Sequence, residues 1–143
     1  MEAQKMDRAT ATQVNPITLA FLGDAVYTLY VRDKLVCSGA GKAADFQRVA
    51  AKVVSAHGQS TFLERVLPLF TKEEEEIFKR GRNAKKPTKS KNASAGEYCR
   101  STGFEAVIGF LYLVGDYARI TELFSVLNED DFKAQTVQKP YKP

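Results

Sequence analysis

Two apolar stretches, each carrying a single charged residue, do most to limit the folds open to this chain. The first is Leu19-Ala-Phe-Leu-Gly-Asp-Ala-Val-Tyr-Thr-Leu-Tyr30, where Asp24 is the sole charge. The second is Gly103-Phe-Glu-Ala-Val-Ile-Gly-Phe-Leu-Tyr-Leu113, where Glu105 is the sole charge. Both fall short of the ~18–20 apolar residues that span a bilayer. Helices this apolar belong in the core of a domain. Gly23 and Gly109 lack Cβ atoms and would let neighbouring backbones approach, so the two carboxylates could come close together.

A carboxylate in such a helix is paired with a cation, left at a rim, or used. Other chemistries are poorly supplied. His57 is the one histidine, and Cys37 and Cys99 have no metal-ligand partners nearby, which excludes a Cys/His zinc site. No nucleophile sits in a recognisable motif beside His57, so catalysis would fall to carboxylates or lysines. Two converging carboxylates suit a hard cation such as Mg²⁺, which keeps several waters and takes phosphate oxygens as further ligands. The alternative is that each acid pairs with an arginine or lysine.

The rest of the chain reads as helix and loop, with no strand alternation and no repeat. Residues 1–14 are polar and unpatterned, a loose arm. Asn15-Pro16 supplies an N-cap and a proline at the first helical position, and Leu19, Leu22, Val26 and Leu29 follow at helical spacing. A second helix is expected over about 42–57, with Phe46, Val49 and Val53 on one stripe and Gly58 interrupting it. Pro68 closes the next. Thr71-Lys-Glu-Glu74 is a capping box, and Glu73–Glu76 favour the positive end of that helix, so they are read as structural. Further helices are expected over about 94–114 and from an Asp116 cap to Leu127, with a disordered tail over 128–143. The expected architecture is one all-α domain of six or seven helices over 15–127. His57 reads as a helix-end residue, and the cysteines as reduced. The apolar fraction, 44%, is ordinary for a globular protein. No signal or transit peptide is evident, and the expected setting is cytoplasmic, with no membrane association.

Charge is unevenly placed. From Lys79 to Arg100 eight cations face one anion, Glu97, a net of +7 in a chain whose total is +4. Such a segment suits a polyanionic partner, or simply a solvated loop. Magnesium beside it would imply phosphodiester chemistry.

Residues 19–27, with Phe-Leu-Gly-Asp-Ala-Val at their centre, resemble the first signature of the ribonuclease III family. Phe104-Glu-Ala-Val-Ile-Gly-Phe-Leu-Tyr112 resembles the second. Arg80-Gly-Arg-Asn-Ala-Lys85 is similar to an element between them in the Mini-ribonuclease III subgroup. The three occur in family order and spacing, and the resemblance covers about Asn15 to Leu127. It implies a magnesium-dependent endoribonuclease acting on double-stranded RNA, with 5′-phosphate and 3′-hydroxyl products. Asp24 and Glu105 match the catalytic, metal-binding acids. Ala20 and Thr102 stand where full-length members carry a further glutamate and aspartate, as in the Mini subgroup, so fewer protein oxygens would meet the metal.

Full-length members also append a double-stranded-RNA-binding domain, and none is expected here after the catalytic domain. Duplex capture is then expected from the basic segment: Arg80, Arg82, Asn83, Lys85 and Lys86, with Lys89 and Lys91 beyond. The resemblance further implies a homodimer, one site per strand, and ribosomal RNA precursors as substrate. Val107, Leu111 and Tyr27 could serve either the core or such an interface. The rival reading is a catalytically silent RNA-binding or ribosome-associated scaffold, and a third is a helical adaptor for an acidic protein.

Overall fold

The computed structural model describes residues 5–38, 41–86 and 94–127. Among them it holds seven α-helices and no strand: α1 (Arg8–Thr12), α2 (Pro16–Ser38), α3 (Ala43–Val54), α4 (Ala56–Val66), α5 (Lys72–Asn83), α6 (Ala95–Leu113) and α7 (Tyr117–Phe124), with a 3₁₀ turn over Leu67–Leu69. The chain is all-α, as its periodicity implies. α2 and α6 are the central pair; α3 packs on α2, while α4, α5 and α7 pack around α6.

The α2–α6 crossing is close because both partners present glycine. A Cβ on Gly23 would stand 1.7 Å from the Glu105 carbonyl oxygen, and one on Gly109 would stand 1.9 Å from the Leu19 carbonyl oxygen. Beside the crossing Tyr27, Phe62, Phe104 and Phe124 bring α2, α4, α6 and α7 together. Tyr27 lies 5.6 Å edge-on to Phe104 and 5.5 Å from Phe124, ring centre to ring centre. Phe62 and Phe104 meet edge-on at 5.4 Å, a geometry that suits the aromatic quadrupoles. The buried stripe of α2 is Leu19, Ala20, Gly23, Tyr27 and Val31. Leu22 and Val26 are half-buried and Leu29 faces outward, so the core face is rotated from the one the leucines suggested.

Two of three local expectations change. Residues 5–14 are not a loose arm. Asp7 caps α1 by accepting from the Thr10 amide at 2.7 Å, the Met6 amide donates to the Leu113 carbonyl at 2.7 Å, and Ala11 is fully buried. These contacts run through backbone and one small side chain, so no apolar stripe announced them. Second, the break between α3 and α4 falls at Ser55, not Gly58. The Ser55 hydroxyl donates to the Lys52 carbonyl and accepts from the Gly58 amide, closing one helix and capping the next. His57 consequently sits in the first turn of α4, at the positive end of a helix, where its Nδ1 lies 3.0 Å from Glu97 Oε2. The third expectation, a helix over about 94–114, holds: Ser94 and Glu97 form a reciprocal capping box that starts α6, so the single anion of the basic segment has a structural role. Residues 128–143 lie outside the described residues.

The Thr71–Glu74 capping box is present, and Glu74 carries a second partner. Its two carboxylate oxygens accept from Arg119 Nε and Nη2, each at 2.9 Å, and Arg119 Nη2 also donates to the Leu69 carbonyl at 2.6 Å. α5, the 3₁₀ turn and α7 are thereby held together. Burial alone would raise the Glu74 carboxyl; the Arg119 guanidinium and the Thr71 amide outweigh it and hold the group below its ordinary value.

Two predictions follow from this packing. Alanine is a better helix former than glycine by about 1 kcal/mol, so Gly109→Ala would gain stability if α2 and α6 could part. The 1.9 Å approach to Leu19 backbone forbids that; the expected result is a lowered urea midpoint, with a loss at or above the ~1–3 kcal/mol of ordinary over-packing. Arg119→Met should cost about 3 kcal/mol at neutral pH, since it leaves a buried carboxylate unpaired. A carboxyl held low in the folded state contributes stability above its unfolded value near ~4.3, and loses it as pH falls through the folded value. The gap between wild type and Arg119→Met should therefore narrow on acidification to about pH 3. A gap independent of pH in urea titrations would show that the ion pair is not its source.

Candidate active site

Asp24 follows Gly23 in α2, and Glu105 belongs to the turn of α6 that Gly23 touches, so the backbone contact itself sets the two acids side by side. They meet at an open cleft of about 360 Å³ whose walls come from α2, the α3–α4 junction, α6 and Lys86. The sequence placed both helices in the core and left the position of each acid open; the structure puts Asp24 exposed at the rim and Glu105 half-buried on the inner wall. The Glu105 carboxyl is crowded by protein, and this desolvation, together with a hydrogen bond and charge repulsion from Asp24, pushes it well above the ordinary carboxylate value.

No lysine or arginine pairs with either acid among the described residues. The salt-bridge alternative left open by the sequence does not describe them. The contrast with Glu74 is direct: that buried acid has a guanidinium, whereas the cleft acids have each other. They number two, and no group of three or more His, Cys, Asp or Glu able to hold a metal occurs among the described residues. Two close carboxyls with no counter-charge are nonetheless a suitable receptor for a divalent cation that brings its own waters.

The basic segment divides. Lys86 lines the cleft, but its ammonium donates to the carbonyls of Gly81, Arg82 and Ala84 at 2.9, 2.7 and 2.8 Å. It closes the C-terminal end of α5, where a cation is favoured. Arg80 Nη1 donates to the Thr12 carbonyl at 2.7 Å and so anchors α1. Arg82 lies over the Phe78 ring at 5.8 Å and its Nε donates to Asn83 Oδ1. Asn83 and Lys85 are exposed. Lys89 and Lys91 lie outside the described residues. Of the described members of this set, Lys86 alone lines the cleft.

Other wall residues were not singled out as site members by the sequence. Ser101 and Thr102 stand four and three residues before Glu105, a spacing that places them on its helix face. That signal was legible. Ser55, Tyr98 and Phe21 also line the cleft; Ser55 comes from a helix junction that only the tertiary structure brings there.

The Ribonuclease III domain family matches residues 17–116, the span containing both acids and the crossing. Among curated proteins, the chain is 41% identical over 118 residues to a Mini-ribonuclease 3 of Symbiobacterium thermophilum, covering 82% of this chain and 91% of that one. It is 44% identical over 114 residues to a Mini-ribonuclease 3 of Streptococcus pneumoniae, covering 78% and 89%. Among solved structures, a Fusobacterium nucleatum protein superposes with a TM-score of 0.73 at 27% identity, over 80% of this chain and 93% of that one. With the family matched over most of its length and its two signature acids adjoining in one cleft, this chain belongs to the ribonuclease III family of endoribonucleases, alongside the Mini-ribonuclease 3 proteins.

Proposed function

We propose that the chain hydrolyses phosphodiester bonds in double-stranded RNA with Mg²⁺ held by Asp24 and Glu105. The observation that carries this is the pair itself: two adjoining carboxyls that line one open cleft and are unneutralised by any cation of the described protein. Keeping a carboxyl desolvated beside another acid is unfavourable, and a bound divalent cation removes that penalty. When bound, the ion supplies charge compensation for the phosphate and lowers the pKa of a water directed at phosphorus. Asp24, at the rim, would face the incoming backbone, and Glu105, on the wall, would hold the ion as a carboxylate. The products on this reading carry 5′-phosphate and 3′-hydroxyl ends, and subgroup resemblance makes ribosomal RNA precursors the expected natural duplex.

Duplex capture is assigned to the basic segment beside the cleft. Exposed Asn83 and Lys85 are the described members free to meet phosphate and 2′-hydroxyl groups. We assign Lys89 and Lys91 to the same task from their sequence position.

The homodimer is the remaining element. The outward face of α2 carries Phe21, Leu29 and Val36, which are 81%, 59% and 65% exposed. They recur at near-helical intervals on the helix that bears Asp24, an apolar stripe of the kind that marks an interface. Val107, Leu111 and Tyr27, by contrast, are core residues. A two-fold pairing through α2 would put two sites on one particle, one for each RNA strand.

Cleavage of an end-labelled RNA duplex, with and without Mg²⁺, tests the chemistry. Asp24→Asn keeps shape and removes charge, so it should lower cleavage more than about a hundredfold, the upper range for loss of a mere supporting partner of a metal ligand. Salt-sensitive duplex binding should persist. Turnover retained in Asp24→Asn would defeat the assignment, and wild-type binding without any metal-dependent cutting would favour the silent scaffold. Leu29→Glu tests the assembly: sedimentation equilibrium should show a dimer for wild type and a monomer for the variant, with an unchanged far-UV spectrum.

A further inference from the structure

The cleft contains oxygen atoms whose own protons are already committed. Ser101 Oγ and Thr102 Oγ1 both donate to the carbonyl of Tyr98, each at 2.9 Å. A hydroxyl has one proton and two lone-pair sites, so each oxygen has only acceptor capacity left. Bonding of serine or threonine to a carbonyl one turn back is common in helices and is no sign of function alone. Here two successive residues direct their protons to the same carbonyl, both line the cleft, and they are only 3% and 7% exposed. The acceptor capacity left on each oxygen calls for a donor.

The described protein does not supply one. Lys86, the one cation among the lining residues, directs its three N–H groups to Gly81, Arg82 and Ala84. No hydrogen bond from another described side chain to either hydroxyl oxygen is found among the described residues. Thr102 is three residues from Glu105, so its hydroxyl neighbours that carboxyl on the helix face. A cation held by only two protein carboxylates keeps several waters, and each such water is a donor.

We infer that Thr102 Oγ1, with Ser101 Oγ beside it, accepts a hydrogen bond from a water of the cation held by Asp24 and Glu105, so that this hydroxyl pair orients the hydrated ion. Thr102 is thus a positioning residue and not a direct ligand. The inference rests on the Asp24–Glu105 pair being the cation site.

Manganese alone, titrated into RNA-free protein and followed by the electron paramagnetic resonance of the free ion, reads the site without reference to activity. Thr102→Val keeps the volume and removes the oxygen, and it should raise the Kd for Mn²⁺ about tenfold, the lower range for loss of a group supporting a metal's shell. Thr102→Ser retains the oxygen and should bind within about twofold of wild type. Asp24→Asn should abolish binding. Thermal melts of each variant without metal establish folding; should Thr102→Val not melt cooperatively, Thr102→Ala removes the same oxygen without apolar bulk and is read in the same way. Unchanged affinity in the valine or alanine variant, with binding lost in Asp24→Asn, overturns the role of Thr102 and leaves the cation site standing. Binding unaffected by Asp24→Asn overturns the site reading itself.

Discussion

At the crossing of α2 and α6 the backbones approach until a single added carbon at Gly23 would fall 1.7 Å from a carbonyl oxygen. Everything that distinguishes the cleft depends on this contact. Ordinary helix pairs are held 8–10 Å apart, axis to axis, by intervening side chains. Here the absence of two Cβ atoms lets Asp24, beside Gly23, face Glu105, one turn before Gly109, across the crossing. Asp24 and Glu105 adjoin for that reason, with no loop or long side chain needed to bring them together. A site built on two packed helices is also held more firmly than one built on loops.

The fold treats its buried acids in two opposite ways. Glu74 lies between α5 and α7 with a bidentate arginine, a capping amide and little exposure to solvent. Its charge is compensated inside the protein, and the result is a lock between helices. Glu105 has a neighbour of its own charge type, an open cleft and no counter-ion of the described protein. Its compensation must come from outside. Partial desolvation is tolerable in both cases, but only the second arrangement leaves an unmet electrostatic need directed at a ligand. That difference separates a structural carboxylate from a functional one here, and it is visible in partners rather than in burial.

The cations around the cleft show a similar division. Lys86 and Arg80 would pass in the sequence for phosphate contacts, yet both are engaged by carbonyl oxygens, one at the end of α5 and one on Thr12 of α1. Basic segments carry this ambiguity generally, because an ammonium group meets a helix C-terminus as readily as a phosphate. Lys86 still forms part of the cleft wall, so its helix-capping bonds also shape the site.

Much of the molecule was legible from local pattern. The helix at Lys72 followed from Thr71 and Glu74, the start of α2 from Asn15 and Pro16, and the class of the fold from two apolar helical runs and the absence of alternation. Caps and periodicity depend on residues three or four apart, which a sequence displays directly. The capping box at Ser94 and the cleft position of Thr102 were written at the same spacing, although neither was drawn from it. What only the tertiary structure decided were choices among distant partners: Arg119 for Glu74, Thr12 for Arg80, Leu113 for the chain's first turn, and outward exposure for Leu29. Backbone hydrogen bonding within a helix is a short-range quantity, so the sequence by itself determined the identity of the two acids and most of the helices, though neither α1 nor the break at Ser55. Which face is buried, and which charge meets which, depends on contacts between residues tens of positions apart, and these exist only once α2 and α6 have packed.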